Sequence, residues 1–302
     1  MSLINPEKIK VLAGIVLYNP DIERLRENIQ AIKPQVDAVL LIENGSKSLD
    51  YREQLKDFSD VLYIKNSGSM GIAYALNQIL GYAYSHGYEW AITLDQDSVV
   101  TSGMIEVYKH EVKEDTGILG CWIDDRNYKD KLGVEWGLAH GTFTTNWVIT
   151  SASFTNVKSW KACGGFDTSM FIDWVDWDIC EAMKDAGYKI YKTYKTKLVH
   201  ELGNKTRIVK VRYHIMQIKN ATILRNYHDY RNRIYMARKY DRIKLSGEIK
   251  DNLFRLYVVL RYEECSWRQI KTFLKGMYDG FKMKVQYQFI TEEFMHIEAE
   301  NV

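Results

Sequence analysis

The sequence has few of the residues that build zinc sites, disulfide scaffolds or membrane spans. It contains four cysteines and three prolines in 302 residues, and Cys121, Cys163, Cys180 and Cys265 form no CxxC pair and no short regular spacing. This pattern argues against a zinc site and a disulfide framework, so we expect reduced thiols. No apolar run reaches the roughly 18 residues that a membrane-spanning helix needs. We therefore expect an intracellular, cytoplasmic site of action.

Common cofactor and catalytic fingerprints are absent as well. The chain has no GxxxxGK[ST], no GxGxxG after its first apolar run, no GxSxG and no HExxH. These absences disfavour a P-loop ATPase or kinase, a dinucleotide-binding enzyme of the usual type, a serine hydrolase and a zinc protease.

Positive charge is concentrated in one segment. Residues 189–244 hold 16 Lys and Arg against 3 Asp and Glu, whereas the whole chain holds 41 against 39. Such a segment, interleaved with tyrosines, suits phosphate, nucleic acid or an anionic membrane surface. A solvated helical face explains the same composition, so both interpretations stay open.

The first two hundred residues alternate short apolar runs with helical patterns. The predicted strands are Val11–Leu17, Val36–Ile42, Val61–Ile64 and Trp90–Leu94. Apolar residues from Ile72 to Ala83 recur at three- and four-residue steps, which predicts a helix that starts near Gly71. This order predicts an α/β fold with a mainly parallel sheet flanked by helices, and a ligand crevice at the carboxyl ends of its strands.

The alternation stops after about residue 205. The rest of the chain is charged, rich in tyrosine and poor in glycine, with helical spacing. We therefore predict a catalytic domain over residues 1–205 and a helical extension over residues 206–302 that packs on it.

Two carboxylates follow the fourth predicted strand, at Asp95 and Asp97. Along an extended chain, side chains at i and i+2 point to one side. Clustered carboxylates repel each other unless a cation or a proton lies between them, and their hard oxygens suit Mg²⁺ or Mn²⁺. A simple acidic turn after a strand is the alternative.

A second acidic cluster contains Asp173, Asp176 and Asp178. On a helix, Asp173 and Asp176 would lie one turn apart on one face. The aromatic neighbours Trp174 and Trp177 favour a general base in a partly dry site. Acidic residues placed at a helix N-terminus by the macrodipole are the alternative. His200 follows another apparent strand, and its imidazole could complete a metal site with Asp97 or bind a phosphate, although a lone histidine is usually structural.

Taken in order, these motifs resemble the family 2 glycosyltransferases of the GT-A fold. The resemblance covers about residues 10–240 and rests on Leu17-Tyr18-Asn19, on Glu43-Asn44-Gly45-Ser46, on residues 66–77, on Asp95-Gln96-Asp97, and on Gly164-Gly165-Phe166-Asp167 before the acidic cluster. Residues 94–98, 149–152, 171–176 and 200–203 are most similar to the rhamnosyltransferase branch, which uses dTDP-L-rhamnose to build bacterial surface polysaccharides.

The resemblance implies a role for each matching position. Asp97, Asp95 and His200 would bind Mg²⁺ or Mn²⁺, and Asp176, with Asp173, would be catalytic. The donor nucleotide would be bound by Tyr18, Glu43, Asn44, Asn66, Gly71, Asn77 and Asp95. Glu43 stands where relatives more often have aspartate, Ser69 where asparagine is common and Val175 where many have an acid, which puts the contacts to the donor base in question more than the reaction.

The expected reaction is metal-dependent, inverting transfer of L-rhamnose to a hydroxyl of a cell-surface polysaccharide or a lipid-linked glycan. A UDP-sugar donor, hexose or galactofuranose, is the alternative within this mechanism. A non-catalytic sugar-binding or nucleic-acid-binding protein is the alternative from another class, although no nucleic-acid partner is expected. Residues 189–244 could also hold the enzyme at the inner face of the cell membrane.

Overall fold

The computed structural model describes residues 5–46, 51–125, 141–200, 207–211, 214–218, 222–262 and 267–302. Within these ranges, only the backbone is described for residues 207–211 and 214–218 and for Asp125 and His200. The chain divides into two compact units. The first comprises Met1–Ser169, Val175–Glu201 and Tyr287–Val302, and the second comprises Met170–Trp174 and Leu202–Gln286.

Strands and helices alternate through the first unit, and helices dominate the second. The strands are β1 (Val11–Leu17), β2 (Ala38–Glu43), β3 (Leu62–Lys65), β4 (Trp90–Asp95), β5 (Val99–Val100), β6 (Thr116–Asp125), β7 (Thr142–Thr144), β8 (Ser153–Asn156), β9 (Lys189–His200), β10 (Arg207–Val211), β11 (His214–Ile218) and β12 (Glu300–Asn301). The helices are α1 (Ile22–Ile32), α2 (Ile72–Ser85), α3 (Met104–Glu111), α4 (Val157–Ala162), α5 (Val175–Asp185), α6 (Ile223–Lys239), α7 (Leu245–Tyr262), α8 (Trp267–Lys282) and α9 (Glu292–Met295). Short 3-10 helices cover Pro6–Lys8, Lys33–Gln35 and Glu53–Phe58.

One mixed sheet forms the centre of the first unit. Its strand order is β12-β3-β2-β1-β4-β8-β6-β9-β5, and β7 also pairs with β9. The long pairings β3-β2-β1-β4 and β6-β9 are parallel. The shorter pairings made by β12, β8, β5 and β7 are antiparallel. The predicted α/β fold with a mainly parallel sheet is confirmed.

The strand β1 is central because its sequence is apolar on both faces. All seven of its residues are buried, as expected for a parallel strand that is covered by helices on both sides. Helix α2 lies directly on β1, since an ideal Cβ on Gly14 would come within 2.3 Å of Ile79 Cγ2. The four predicted strands and the helix after Gly71 are all present, with bounds that differ by at most two residues.

The second unit contains an element that the sequence interpretation missed. Strands β10 and β11 pair as an antiparallel hairpin, with Arg207 opposite Ile218 and Val211 opposite His214. The alternation of β-branched and polar residues in RIVKV and HIMQI favours strands, and the surrounding charged, tyrosine-rich composition obscured that short signal. Helices α6, α7 and α8 make up most of the rest of this unit.

The last residues of the chain pack within the first unit. Phe289 N–H donates to the Gly164 carbonyl at 2.8 Å, and Val302 N–H donates to the Val61 carbonyl at 2.9 Å. Gly81 of α2 lies so close to this segment that an ideal Cβ would be 2.0 Å from the Phe294 carbonyl oxygen. Residues 287–302 therefore belong to the first unit, although the sequence interpretation grouped them with the helical extension.

A glycine pair tests this close approach. Gly81→Ala should lower the free energy of unfolding by about 1–3 kcal/mol, because the new methyl group meets a backbone oxygen. Gly247→Ala, in α7, is the matched control, since its nearest neighbour would be 4.0 Å away and alanine favours a helix by up to about 1 kcal/mol. Chemical denaturation measures the free energy of unfolding of both variants. Equal changes in the two variants would contradict the close contact between Gly81 and the Phe294 backbone.

Candidate active site

The carboxyl ends of β1, β2 and β4 lie side by side. The register pairs Leu17 with Glu43 and Val16 with Asp95. Asn44 N–H donates to the Leu17 carbonyl at 2.9 Å, which extends the pairing by one residue. The predicted convergence of these strand ends is confirmed, and the polar residues that follow them share one edge of the sheet.

The acidic triplet turns as soon as β4 ends. Ser98 N–H donates to the Asp95 carbonyl at 3.1 Å, and the Asn28 side-chain amide donates to the same oxygen at 2.8 Å. Asp95 N–H donates to Ser151 Oγ at 3.1 Å. The expectation of an extended chain is wrong here, because this turn reverses the backbone after Asp95. The side chains of Asp95 and Asp97 are half-buried on a backbone that is held from two sides.

The middle residue of the triplet joins two strand ends. Tyr18 N–H donates to Gln96 Oε1 at 2.8 Å, and Gln96 Nε2 donates to the Tyr18 carbonyl at 3.2 Å. The Tyr18 side chain remains 48% exposed. Gln96 therefore ties the backbone of Tyr18, whose side chain is exposed, to the acidic triplet. Sequence reasoning missed this role because an amide between two acids gives no signal of what it contacts across the sheet.

Glu43 is buried, with 1% of its surface exposed. Its Oε1 accepts from Ser46 N–H at 3.1 Å, and its Oε2 accepts from the Tyr63 hydroxyl at 3.0 Å. The Lys65 ammonium is 3.5 Å from Oε2. These contacts hold the turn after β2, and the predicted contact of Glu43 with the nucleotide stays a prediction.

A network of side-chain amides shapes the loop before α2. Asn44 Nδ2 donates to the Gly71 carbonyl at 3.0 Å, and Asn44 Oδ1 accepts from Met70 N–H at 3.0 Å. Asn66 and Gln78 exchange two hydrogen bonds at 2.9 and 2.8 Å. Gly71 has φ +83°, a conformation that glycine adopts without strain. The loop that the resemblance assigns to the nucleotide is therefore held by hydrogen bonds within the protein.

Asn77 lies deeper, with none of its surface exposed. Its Nδ2 donates to the Phe166 carbonyl at 2.8 Å, and its Oδ1 accepts from Phe166 N–H and from Trp160 Nε1 at 2.8 and 2.9 Å. These bonds clamp the glycine turn that precedes the second acidic cluster. The role of Asn77 in the nucleotide pocket stays a prediction, and these contacts point to indirect support.

The second acidic cluster is split by the start of a helix. Helix α5 begins at Val175, whereas Asp173 and Trp174 precede it with φ values of 62° and 70°. Asp173 and Asp176 therefore do not share a helical face, and that expectation is wrong. Two successive non-glycine residues in the left-handed region carry backbone strain, which proteins retain chiefly at functional sites.

Asp176 occupies the first turn of α5 and is half-buried. Its Oδ1 accepts from Trp177 N–H at 3.0 Å. The Trp177 ring stacks on Trp147, with ring centres 5.1 Å apart and planes inclined by 24°. Trp147 is 38% exposed. Asp176 thus precedes one member of a stacked indole pair, and such rings are suited to contact a sugar ring. Sequence reasoning did not single out Trp147.

Helix α6 holds the strained residues within the second unit. The Arg225 guanidinium bonds to both carboxylate oxygens of Asp173, with Nε at 3.0 and 3.1 Å. Asn232 Nδ2 donates to the Asp173 carbonyl at 2.8 Å, and Trp174 Nε1 donates to Asp229 Oδ1 at 2.8 Å. The carboxylate of Asp173 is thus engaged in an ion pair, which favours a positioning role over proton transfer.

The predicted cation ligands are only partly described. The backbone of β9 ends at His200 and pairs with β5 through Val99 and Val199, two residues beyond Asp97, but the His200 side chain lies outside the described residues. Within the described ranges, no group of three His, Cys, Asp or Glu side chains is placed to hold a metal ion. Asp95 and Asp97 nevertheless supply hard oxygen donors on a fixed backbone, a donor set that fits Mg²⁺ or Mn²⁺.

Three of the four cysteines lie in the described residues. None of Cys121, Cys163 and Cys180 takes part in a disulfide bond there, and Cys265 lies outside the described residues. The reduced state of the thiols stays a prediction. Burial raises the pKa of Cys121 to about 11 and that of Cys180 to about 12. Both thiols therefore stay protonated at neutral pH and are poor nucleophiles.

The basic segment 189–244 is divided between the two compact units. Its first residues belong to β9 of the main sheet, where Lys189 pairs with Asp115 and Lys197 pairs with Asp124, both at 2.8 Å. Its last residues belong to α6 in the other unit. Part of the positive charge of the segment is therefore paired with acidic side chains of the protein itself. No helix in the described parts of the chain is both long enough and apolar enough to span a membrane.

Comparison with known proteins gives consistent results. The Shigella flexneri dTDP-rhamnosyl transferase RfbF is 26% identical over 261 residues, which cover 82% of this chain and 86% of RfbF. The structure of S. aureus TarS 1–349 in complex with UDP-GlcNAc matches with a TM-score of 0.56 at 9% identity, over 91% of this chain and 81% of TarS 1–349. GalNAc-T7 with UDP, GalNAc and Mn²⁺ matches with a TM-score of 0.55 at 13% identity, over 92% of this chain and 56% of GalNAc-T7.

At such low identity, the structural likenesses show the fold alone, which is the GT-A fold. The family model described as glycosyl transferase family 2 matches residues 13–163, half of the chain. That range contains most of β1, all of β2 to β4, the amide network and the acidic triplet. The chain therefore belongs to glycosyl transferase family 2.

Proposed function

We propose that the protein transfers L-rhamnose from dTDP-L-rhamnose to a hydroxyl of a cell-surface polysaccharide or a lipid-linked glycan. The observation that carries the proposal is the half-buried acidic triplet at the carboxyl edge of the sheet, which Gln96 and Ser151 hold in place. Similarity to RfbF over 82% of the chain supports the choice of sugar.

Donor binding is assigned to the edge formed by β1, β2 and β4. Tyr18 is exposed there and would contact the nucleobase or ribose, and Asp95 would face the ribose and the cation. Asn44, Asn66 and Gly71 would shape the pocket through their loop, and buried Glu43 and Asn77 would support it from behind. This division follows the exposure of each side chain.

The proposed cofactor is Mg²⁺ or Mn²⁺, held by Asp97, Asp95 and His200. Bound there, the ion would supply positive charge that stabilises the departing nucleoside diphosphate. The protein contributes a triplet whose backbone is fixed by Asn28, Ser98 and Ser151. A fixed ligand set loses little entropy when it binds the ion and the donor.

Asp176 is the proposed general base. A carboxylate can accept the proton of the acceptor hydroxyl as that oxygen attacks the anomeric carbon on the face opposite the diphosphate. Direct displacement inverts the anomeric centre, by the same stereochemical logic as in inverting glycosidases. Asp173, paired with Arg225, would help by fixing the chain that leads into α5. The stacked rings of Trp147 and Trp177 would support the acceptor sugar.

The alternative donor, the site of action and the alternative class of protein remain to be assigned. A UDP-hexose or UDP-galactofuranose donor would use the same fold and chemistry. The site of action is proposed to be cytoplasmic, and membrane contact through residues 189–244 stays a prediction. Nucleic-acid binding loses its main argument, because lysines of that segment pair with acidic residues of the protein.

Calorimetric titration with nucleotides tests the donor assignment. We expect dTDP to bind more tightly than UDP or GDP in the presence of Mg²⁺ or Mn²⁺, and chelator or Asp97→Ala to abolish the difference. Removal of a group that merely supports a metal ligand costs about 10–100-fold in affinity, so loss of a ligand should cost at least as much. A preference for UDP would indicate a UDP-sugar donor instead of dTDP-rhamnose. Absence of binding by all three nucleotides would favour a non-catalytic protein.

Two carboxylate variants separate the cation site from the base. Asp97→Asn should weaken donor binding and turnover together. Asp176→Asn should leave donor affinity nearly unchanged and lower kcat by about 10²–10⁴-fold, because it removes only the proton acceptor. Calorimetry with dTDP and the turnover of dTDP-rhamnose measure the two effects. Equal losses of donor affinity in both variants would contradict this assignment.

The indole pair tests the acceptor side. With a synthetic lipid-diphosphate-linked sugar as acceptor, Trp147→Ala should raise the acceptor KM about three- to tenfold, the amount expected for one lost ring contact. The donor KM should not change. Phe143→Ala is the control, since Phe143 is also exposed, at 52%. Equal acceptor KM values for Trp147→Ala and Phe143→Ala would show that the indole pair does not bind the acceptor.

A further inference from the structure

One face of α8 is committed to packing within the second unit. An ideal Cβ on Gly276 would lie 2.9 Å from the Tyr227 carbonyl oxygen, and one on Gly280 would lie 2.6 Å from the Arg231 carbonyl oxygen. Both contacts are with α6, and Phe273 on the same side of α8 is only 7% exposed. The glycines allow α8 and α6 to approach closely, so the buried side of α8 is defined.

The other face of α8 exposes large apolar side chains to solvent. The exposed fractions are 78% for Trp267, 59% for Leu274, 61% for Tyr278 and 43% for Phe281. Spacings of seven, four and three residues place these four side chains in one stripe along the helix. A stripe of this size on an otherwise packed helix marks an interaction surface.

Positive charge lies along the edge of this stripe. Arg268, Lys271, Lys275 and Lys282 are all exposed, and helical geometry places them beside the apolar residues. Asp279 is the only acidic residue of α8, and it is paired with Lys275 at 2.7 Å. The surface is therefore apolar at its centre and cationic at its flank.

We propose that this face of α8 docks on an anionic lipid surface. A helix that combines Trp and Tyr on an apolar stripe with flanking lysines is suited to lie in the headgroup region, where indole and phenol rings are favoured and cations meet lipid phosphates. A second copy of the chain fits less well, because an antiparallel two-fold contact through this stripe would place the cationic flanks of both copies on the same side. Docking would bring the enzyme close to a lipid-linked acceptor, and this expected benefit rests on the proposed function. The contact between α8 and the lipid surface does not rest on it.

Vesicle sedimentation of the full chain tests the proposal. At low salt, the protein should pellet with vesicles of phosphatidylcholine and phosphatidylglycerol and remain in solution with phosphatidylcholine alone. Trp267→Ser/Lys271→Glu should weaken this binding at least about tenfold, since it removes one anchor and reverses one charge. Phe143→Ser/Lys158→Glu is the matched control, because it changes an exposed aromatic and an exposed lysine of the first unit and should bind like the wild type.

The same protein variants distinguish membrane docking from loss of folding and from self-association. Both changed residues of α8 are exposed, so thermal unfolding should be unaffected, and Leu274→Ser/Lys282→Glu provides an independent test of the stripe. Absence of wild-type binding to anionic vesicles, or equal binding by the α8 variants, would overturn the proposal. A wild-type dimer in sedimentation velocity that the α8 variants lose, without vesicle binding, would assign the face to a second copy instead. Calorimetry with dTDP on every variant reports donor binding separately, so the two proposals can fail independently.

Discussion

The structure depends on parallel strands that are buried on both faces and end together at one edge. Buried strands such as β1 bring polar backbone groups to that edge, where each must find a partner. Side-chain amides and hydroxyls meet this requirement: Gln96 bonds to both backbone groups of Tyr18, Asn44 bonds to residues 70 and 71, and Ser151 bonds to Asp95. The edge is therefore held firmly, because the backbone N–H and C=O groups at the strand ends are bonded to these side chains.

This rigidity has a direct chemical consequence. Asp95 and Asp97 stay half-buried on a backbone that is already fixed, so a cation and a diphosphate would meet ligands that need little reorganisation. The residues proposed to bind the donor differ in exposure. Tyr18 is exposed and the two aspartates are half-buried, whereas Glu43 and Asn77 are buried.

The second acidic region follows a different principle. Backbone strain at Asp173 and Trp174 persists because Arg225, Asn232 and Asp229 hold that segment by side-chain bonds. Trp174 directly precedes Val175, the first residue of α5, so the strain lies in the segment that leads into that helix. Residues 170–174 and α6 belong to one compact unit although they are far apart in sequence, which makes the second unit more than a passive extension.

The sequence alone determined the strands from Val11 to Asp95, the helix after Gly71 and the family, because hydrophobic periodicity and an ordered set of short motifs are local properties. It could not determine the start of α5, the hairpin β10–β11 or the return of residues 287–302 to the first unit. Those features depend on contacts between distant residues, such as Gly81 with Phe294 and Asp173 with Arg225. Tertiary structure likewise decided which of these polar residues are exposed and which are buried, since burial depends on neighbours that local sequence does not specify.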